Sequence, residues 1–294
     1  LQHMNRILEL ALSKEKTTEA LTELFDELGS EVRDADIIRW YGTDANYYYL
    51  PEALCVPIIK TLLEEKIETE PTEVINRIEE LMLKHSDNSM MTAVMDYAVI
   101  VARLYEKALT LGSLTLNTAD EYVMRYESDY CFIDQYYRQT NETYFGIDPT
   151  CELFDAVQKV KRGLDQNYSK LCNRINLEWT RCLKETGGMD EVHMLRQYNF
   201  YDEKIKSVQK KVAVIVSDAL RYEVAQELIG ELAKSKHIAS LKPAIAMLPS
   251  ETKYCKPSLL PHRELKLYGK GEEQDMAVDD HILDTTQKRS EHLQ

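Results

Sequence analysis

Lys210-Lys211-Val212-Ala213-Val214-Ile215-Val216-Ser217-Asp218-Ala219-Leu220-Arg221-Tyr222-Glu223 is the stretch at which the character of this chain changes. Residues 212–216 form an unbroken apolar run, rich in β-branched side chains and bounded by polar ones, the pattern of a strand buried on both faces of a parallel sheet. An amphipathic helix is expected next, over Ala219 to Leu232, with Leu220, Val224, Leu228, Ile229 and Leu232 turned inward. Ala244 to Leu248 reads as a second short apolar strand before Pro249. Strand, helix, strand predicts an α/β domain that begins at residue 211 and runs to residue 294.

Before this point the pattern is helical almost throughout, from residue 5 to about residue 210. Thr17 to Leu28 places Ala20, Leu21, Leu24, Phe25 and Leu28 on one face, and Gly29 stops the helix. Pro71-Thr72-Glu73 opens another, with Val74, Ile75, Ile78, Leu81 and Met82 as its buried stripe. Longer helices are predicted over Met91 to Leu111, Thr118 to Gln139 and Cys151 to Glu185, lengths that build an extended or bundled scaffold. The predicted fold class is therefore a mainly helical N-terminal scaffold, 5–210, followed by the start of a parallel α/β domain, 211–294.

A chain of 294 residues with 44% hydrophobic content can bury real cores, which excludes a disordered tail. Its formal charge of −14 is unevenly spread. Residues 211–294 hold 12 basic and 13 acidic side chains of the chain's 36 and 50, so the acid excess belongs to the first 210 residues. Such a surface repels phosphate backbones, and nonspecific nucleic-acid binding through it is not expected. No apolar run approaches the length of a membrane span, since Val94 to Leu104 is broken by Asp96 and Arg103. The opening Leu1-Gln2-His3-Met4 reads as an expression remnant ahead of a starting Met4. Six cysteines without a C-x-x-C spacing fit reduced thiols in a cytoplasmic protein and give no zinc cluster. Fifteen of the eighteen tyrosines precede residue 211, including Tyr47-Tyr48-Tyr49 and Tyr136-Tyr137. They read either as packing between helices with hydroxyls at the rim, or as anchors of a protein-binding face.

Ser217-Asp218 falls at the carboxyl end of the first expected strand, where open α/β sheets collect functional groups. Asp218 reads equally as a helix cap and as a carboxylate ligand for a divalent metal. The second strand ends in Leu248-Pro249-Ser250-Glu251-Thr252-Lys253, a turn leading into a short helix. Thr252 and Ser250 are capping hydroxyls on the plain reading; beside a metal, such a hydroxyl becomes a nucleophile because the cation lowers its pKa. His85, His193, His237, His262, His281 and His292 form no ligand motif, and neither G-x-G-x-x-G nor a G-x-x-x-x-G-K loop is present.

Residues 212–223, then Leu248-Pro249-Ser250-Glu251-Thr252-Lys253, then Leu259-Leu260-Pro261-His262, closely resemble the PglZ family in letters, order and spacing. Gln197-Tyr198-Asn199-Phe200-Tyr201, Val278-Asp279 and Arg289 extend the likeness less specifically. That family supplies the phosphatase-like component of BREX bacteriophage-defence systems, with a core similar to the alkaline phosphatase superfamily. The resemblance implies Asp218 as a metal ligand, Thr252 as the nucleophile, a divalent cofactor expected to be zinc, and a metal-dependent phosphatase or phosphodiesterase. It also implies cytoplasmic work beside other BREX proteins, above all the DNA methyltransferase. After the threonine the family usually continues with glycine and small residues, where this chain has Tyr254-Cys255-Lys256-Pro257-Ser258. The superfamily completes a two-metal site with further aspartates and histidines from later strands, and the chain reaches Gln294 before them. It is therefore expected to be an incomplete, catalytically silent piece. The alternative is a non-catalytic docking scaffold of the defence complex.

Overall fold

The structure, a computed structural model, describes residues 52–84, 89–235, 237–271 and 274–293. The helix expected over Thr17 to Leu28, the tyrosines Tyr47, Tyr48 and Tyr49, and His85 lie outside the described residues. Two compact units divide the chain: residues 1–115 with 128–180, and residues 116–127 with 181–294.

The first unit is helical. Helix α1, Glu52–Thr61, runs into a π turn at Leu62–Lys66; α2 spans Pro71–Lys84 and α3 spans Ser89–Leu109. Further along the chain come α4, Ala119–Arg125, which belongs to the second unit, a π turn at Tyr126–Tyr130, then α5 at Cys131–Gly146 and α6 at Phe154–Thr186, whose residues to 180 are in the first unit. Pro71 occupies the first helical position, where its missing N–H costs nothing, and Val74, Ile78 and Leu81 recur on one buried face. That stripe packs against α3, whose Val94, Met95, Tyr97, Ala98 and Val101 are fully buried. Leu153, Val157 and Leu164 close the core from the α6 side.

Tyrosines in this unit do mostly structural work. Tyr97 is fully buried and donates to the Val157 carbonyl at 3.4 Å. Tyr137 and Tyr168 stack with centroids 3.6 Å apart and donate to Asp165 at 3.0 Å and Asp134 at 2.8 Å. The Lys161 ammonium lies 5.6 Å from the Tyr137 ring and 5.7 Å from the Tyr144 ring, and pairs with Asp165. Rings between helices with hydroxyls tied to carboxylates match the packing reading of these residues.

The second unit holds α4 and the segment from residue 181 onward. Thr118 caps α4 by accepting the Glu121 N–H at 3.2 Å, while the Glu121 carboxylate accepts from Asn117 N–H at 2.9 Å. Helix α7 is Tyr222–Lys234, α8 is Thr252–Ser258, and α9 is Thr286–His292. Strands β1, Leu265–Tyr268, β2, Asp275–Val278, and β3, His281–Ile282, form an antiparallel sheet in the order β1-β2-β3. Leu265 pairs with Val278 and Tyr268 with Asp275, and Ala277 pairs with Ile282.

The parallel α/β arrangement expected from residue 211 is not what the described residues form. Residues 211–217 carry no ladder, and Val212, Val214, Ile215 and Val216 are exposed, Ile215 at 90%. A strand buried on both faces requires flanking strands and helices above and below, and none of the described residues supplies them here. Composition favours such a strand; burial needs neighbours. Ala244 to Leu248 forms a single parallel bridge, Arg196 with Ile245. Of the inward positions expected on α7, Leu220 and Leu228 are exposed while Val224, Ile229 and Leu232 are half-buried.

The β2–β3 connection is a two-residue turn, Asp279-Asp280, with φ of 48° and 68°. Both residues sit in the left-handed region that this turn needs and that aspartate tolerates better than most side chains. Asp279 Oδ1 accepts the N–H groups of Arg263 and Glu264, each at 2.9 Å, and these donors hold its carboxyl below the usual carboxylate range. A folded-state pKa below the unfolded one gives stability that is present above about pH 4 and lost as pH falls through the lowered value. Between pH 6 and pH 3 the thermal midpoint of wild type should therefore drop further than that of Asp279→Asn. Equal drops would show that the carboxylate contributes nothing to the turn.

Candidate functional site

The extended segment 211–217 leads into a tight corner at Asp218 and Ala219. Ala219 has φ of 56°, an uncommon value for a residue with a Cβ, and its carbonyl accepts the Arg221 N–H at 2.9 Å. Strained corners of this kind concentrate at functional sites. The residues that follow fix the corner. Arg221 reaches the fully buried Glu223 at 2.6 Å, and Tyr222 packs edge-on to Tyr126 while its hydroxyl donates to Glu127 at 3.3 Å.

Thr252 is the first residue of α8 and is exposed. The turn before it closes through the Glu251 N–H, which donates to the Pro249 carbonyl at 2.9 Å. Tyr254, Pro257 and Ser258 bury the other face of α8, and the Tyr254 hydroxyl donates to the Gln274 carbonyl at 3.2 Å. Gln197 joins this helix to the segment before it: its amide donates to the Cys255 carbonyl at 3.1 Å and accepts the Met247 N–H at 3.0 Å. The backbone N–H of Gln197 donates to Ile245 O at 2.9 Å, and Ile245 N–H donates to Leu195 O at 2.8 Å.

Asp218 and the helix of Thr252 meet through Lys256, whose Nζ lies 2.6 Å from Asp218 Oδ2. Thr252 and Lys256 are one helical turn apart and share a face of α8. Asp218 is thus tied to the helix that Thr252 opens. Lys256, which contacts Asp218, and Gln197, which ties α8 to residues 245–247, carried weaker signals in the sequence.

The residues present at this corner do not by themselves fit a divalent metal. One oxygen of Asp218 already holds an ammonium, and among the described residues no group of three or more His, Cys, Asp or Glu is placed to hold an ion. The later histidines are engaged elsewhere. His262 Nδ1 donates to the Leu260 carbonyl at 2.7 Å, His292 Nε2 to the Pro261 carbonyl at 2.6 Å, and His281 is an exposed residue of β3. Among the described residues none of the six cysteines forms a disulfide, and burial pushes the Cys131 thiol up to about 11. No helix among the described residues is long and apolar enough to cross a membrane.

Residues 200–294 match the family model of the BREX system PglZ alkaline phosphatase-like domain. The chain is 43% identical over 76 residues to the alkaline phosphatase-like protein BrxZ of Escherichia coli O9:H4 (strain HS), covering 24% of this chain and 9% of that protein. It is 24% identical over 198 residues to the alkaline phosphatase-like protein PglZ of Bacillus cereus (strain H3081.97), covering 64% of this chain and 22% of that protein. The matches therefore span well under two thirds of either relative. No solved structure matches the chain. The PglZ resemblance read from the sequence is borne out over residues 200–294.

Proposed function

We propose, from the PglZ-type segment at residues 200–294, that this chain belongs to a metal-dependent phosphohydrolase, a phosphatase or phosphodiesterase, working in a BREX bacteriophage-defence assembly. Asp218 is one metal carboxylate and Thr252 the nucleophile, and the helical part from residue 5 to about 210 is the scaffold that carries them. The observation that supports this most is the match of residues 200–294, which contain both Asp218 and Thr252, to the PglZ alkaline phosphatase-like domain. The cofactor we propose for the whole protein is a divalent ion, zinc first. Other BREX proteins, including the DNA methyltransferase, are the proposed partners, and the cytoplasm the proposed location.

In the 294-residue chain alone the site is proposed to be silent. An ion held by one carboxylate keeps most of its shell as water and binds weakly. Thr252 then remains a neutral alcohol, without the electrostatic stabilisation that is the largest catalytic contribution. Bound zinc or manganese and hydrolysis of a generic phosphodiester by this chain are the measurements. We expect neither stoichiometric metal nor turnover; stoichiometric metal with turnover lost in Thr252→Ala would overturn the silent reading.

A docking role without catalysis is the second reading, favoured by the exposed apolar run Val212, Val214, Ile215 and Val216. Metal content of the longer protein separates the two: a docking platform needs none.

A further inference from the structure

The acid excess of the first 210 residues is not shared by α6. That helix carries seven basic and four acidic side chains, against 36 and 50 in the whole chain. Its exposed positions from 159 to 180 include Lys159, Arg162, Lys170 and Arg174 and no carboxylate. Arg162, Gln166, Lys170 and Arg174 recur every four residues, so they follow one another along one side of the helix. Lys159 is engaged by Glu64 at 3.7 Å, and the buried Lys161 by Asp165. Arg162, Lys170 and Arg174 form no ion pair among the described residues, and Arg162 gives its Nε to the Gln158 carbonyl at 3.3 Å.

Arg162 also lines a cavity of about 370 Å³, together with Tyr144, Phe145, Gln158, Lys161 and Asp165. Tyr144 is held there by ring contacts to Tyr97, Phe145 and Phe154, whereas Phe145 itself is 82% exposed. Unpaired cations along a groove and an open aromatic face beside them are the two parts that single-strand binders combine, one for phosphates and one for bases. We propose that Arg162, Lys170 and Arg174, with Phe145, form a track for a single strand of nucleic acid. The three cations take phosphates, and the Phe145 ring stacks on a base at the cavity. From Arg162 to Arg174 the helix rises about 18 Å, the length of roughly five stacked nucleotides. An acidic protein segment would meet the cations and leave Phe145 unused; a duplex keeps its base faces stacked away from the ring. Neither proposed contact involves the sugar, so DNA and RNA strands are bound alike. The track lies in the first unit and does not depend on any role of Asp218 or Thr252.

The full 294-residue chain is titrated into a fluorescein-labelled oligothymidylate of about 16 nucleotides, and anisotropy is read at salt concentrations between about 50 and 200 mM. We expect the logarithm of the binding constant to fall against log salt with a slope of about −2, from three phosphate contacts on a single strand. Replacing Lys170 and Arg174 together by alanine should bring that slope to about −0.7. Phe145→Ala should weaken binding about tenfold with the slope kept, and Phe145→Trp should hold the strand at least as tightly as wild type. Lys234→Ala, which removes a cation from α7, should change nothing, and oligouridylate should bind as oligothymidylate does. Phe145→Leu replaces the alanine form if circular dichroism shows that form misfolded. No binding by wild type at about 50 mM salt, or an unchanged slope in the double variant, would overturn the track. A duplex of the same sequence bound at least as tightly as the strand, with Phe145→Ala indistinguishable from wild type, would overturn the single-strand assignment. Polyglutamate displacing the strand at equal charge would overturn it too.

Discussion

If Thr252 is the nucleophile of the proposed phosphohydrolase, Thr252→Ala in a full-length version of the protein lowers kcat on the order of 10³-fold or more, as removal of a covalent nucleophile does elsewhere. Thr252→Ser should keep measurable turnover, because it retains the attacking hydroxyl. The argument starts at α8. Thr252 opens that helix, exposed, while Tyr254, Pro257 and Ser258 anchor its far side, so alanine removes the hydroxyl without removing packing. Glu251, whose side chain makes no cap bond, precedes it, and the turn is closed by backbone from Pro249. Fold and stability should therefore be unchanged in Thr252→Ala. A purely capping role predicts the reverse pattern, a stability loss of about 1 kcal/mol with turnover intact. Steady-state hydrolysis of a phosphodiester, read beside a thermal melt, distinguishes the two.

Tyr97→Ala should destabilise the helical unit by about 3–5 kcal/mol, the range for deleting a large buried ring. Tyr97 is fully buried on α3, its ring 6.2 Å from that of Tyr144, among buried neighbours that include Val94, Val101 and Val157. Burial also raises its hydroxyl pKa well above the ordinary tyrosine value, so the group stays neutral and acts as a donor. Tyr97→Phe keeps the ring and gives up a bond to Val157 O that is long at 3.4 Å, a cost of about 1 kcal/mol or less. With a urea m-value of about 1–3 kcal/mol/M, the alanine form should unfold at least about 1 M earlier. The helical signal at 222 nm, followed through urea unfolding of the whole chain, reports it. Equal midpoints for the alanine and phenylalanine forms would mean that the ring fills no essential volume.

Helices were legible where one apolar stripe repeats every three or four residues. The stripe Val74, Ile78 and Leu81 predicts α2, and the expected helices over Met91 to Leu111 and Cys151 to Glu185 lie within a few residues of α3 and α6. A continuous helix over Thr118 to Gln139 was less accurate, because a π turn at Tyr126–Tyr130 separates α4 from α5, and no side-chain period marks an extra residue in a turn. The run Val212 to Val216 shows the opposite limit. Its composition describes a buried strand, yet burial is supplied by other segments, and Ile215 stands exposed. The β2–β3 hairpin went unread since Asp279-Asp280 lacks the glycine that usually announces a two-residue turn.

The candidate site was legible in the same uneven way. Asp218 and Thr252 follow from their positions after apolar runs and from the PglZ resemblance, and α8 does open at Thr252. Lys256 was hidden because its partner lies 38 residues away in sequence. Helical spacing from Thr252 gave its face; only the fold gave its target.

The proposed division of labour between Asp218 and Thr252 is tested most directly by metal content and turnover measured together on the longer protein. Wild type, Asp218→Asn and Thr252→Ala are purified in parallel, metal is counted by mass spectrometry, and phosphodiester hydrolysis is assayed on the same samples. The account predicts less bound metal in Asp218→Asn, full metal in Thr252→Ala, and loss of turnover in both. Asp218→Asn with full metal and full turnover, or Thr252→Ala with full turnover, would contradict it.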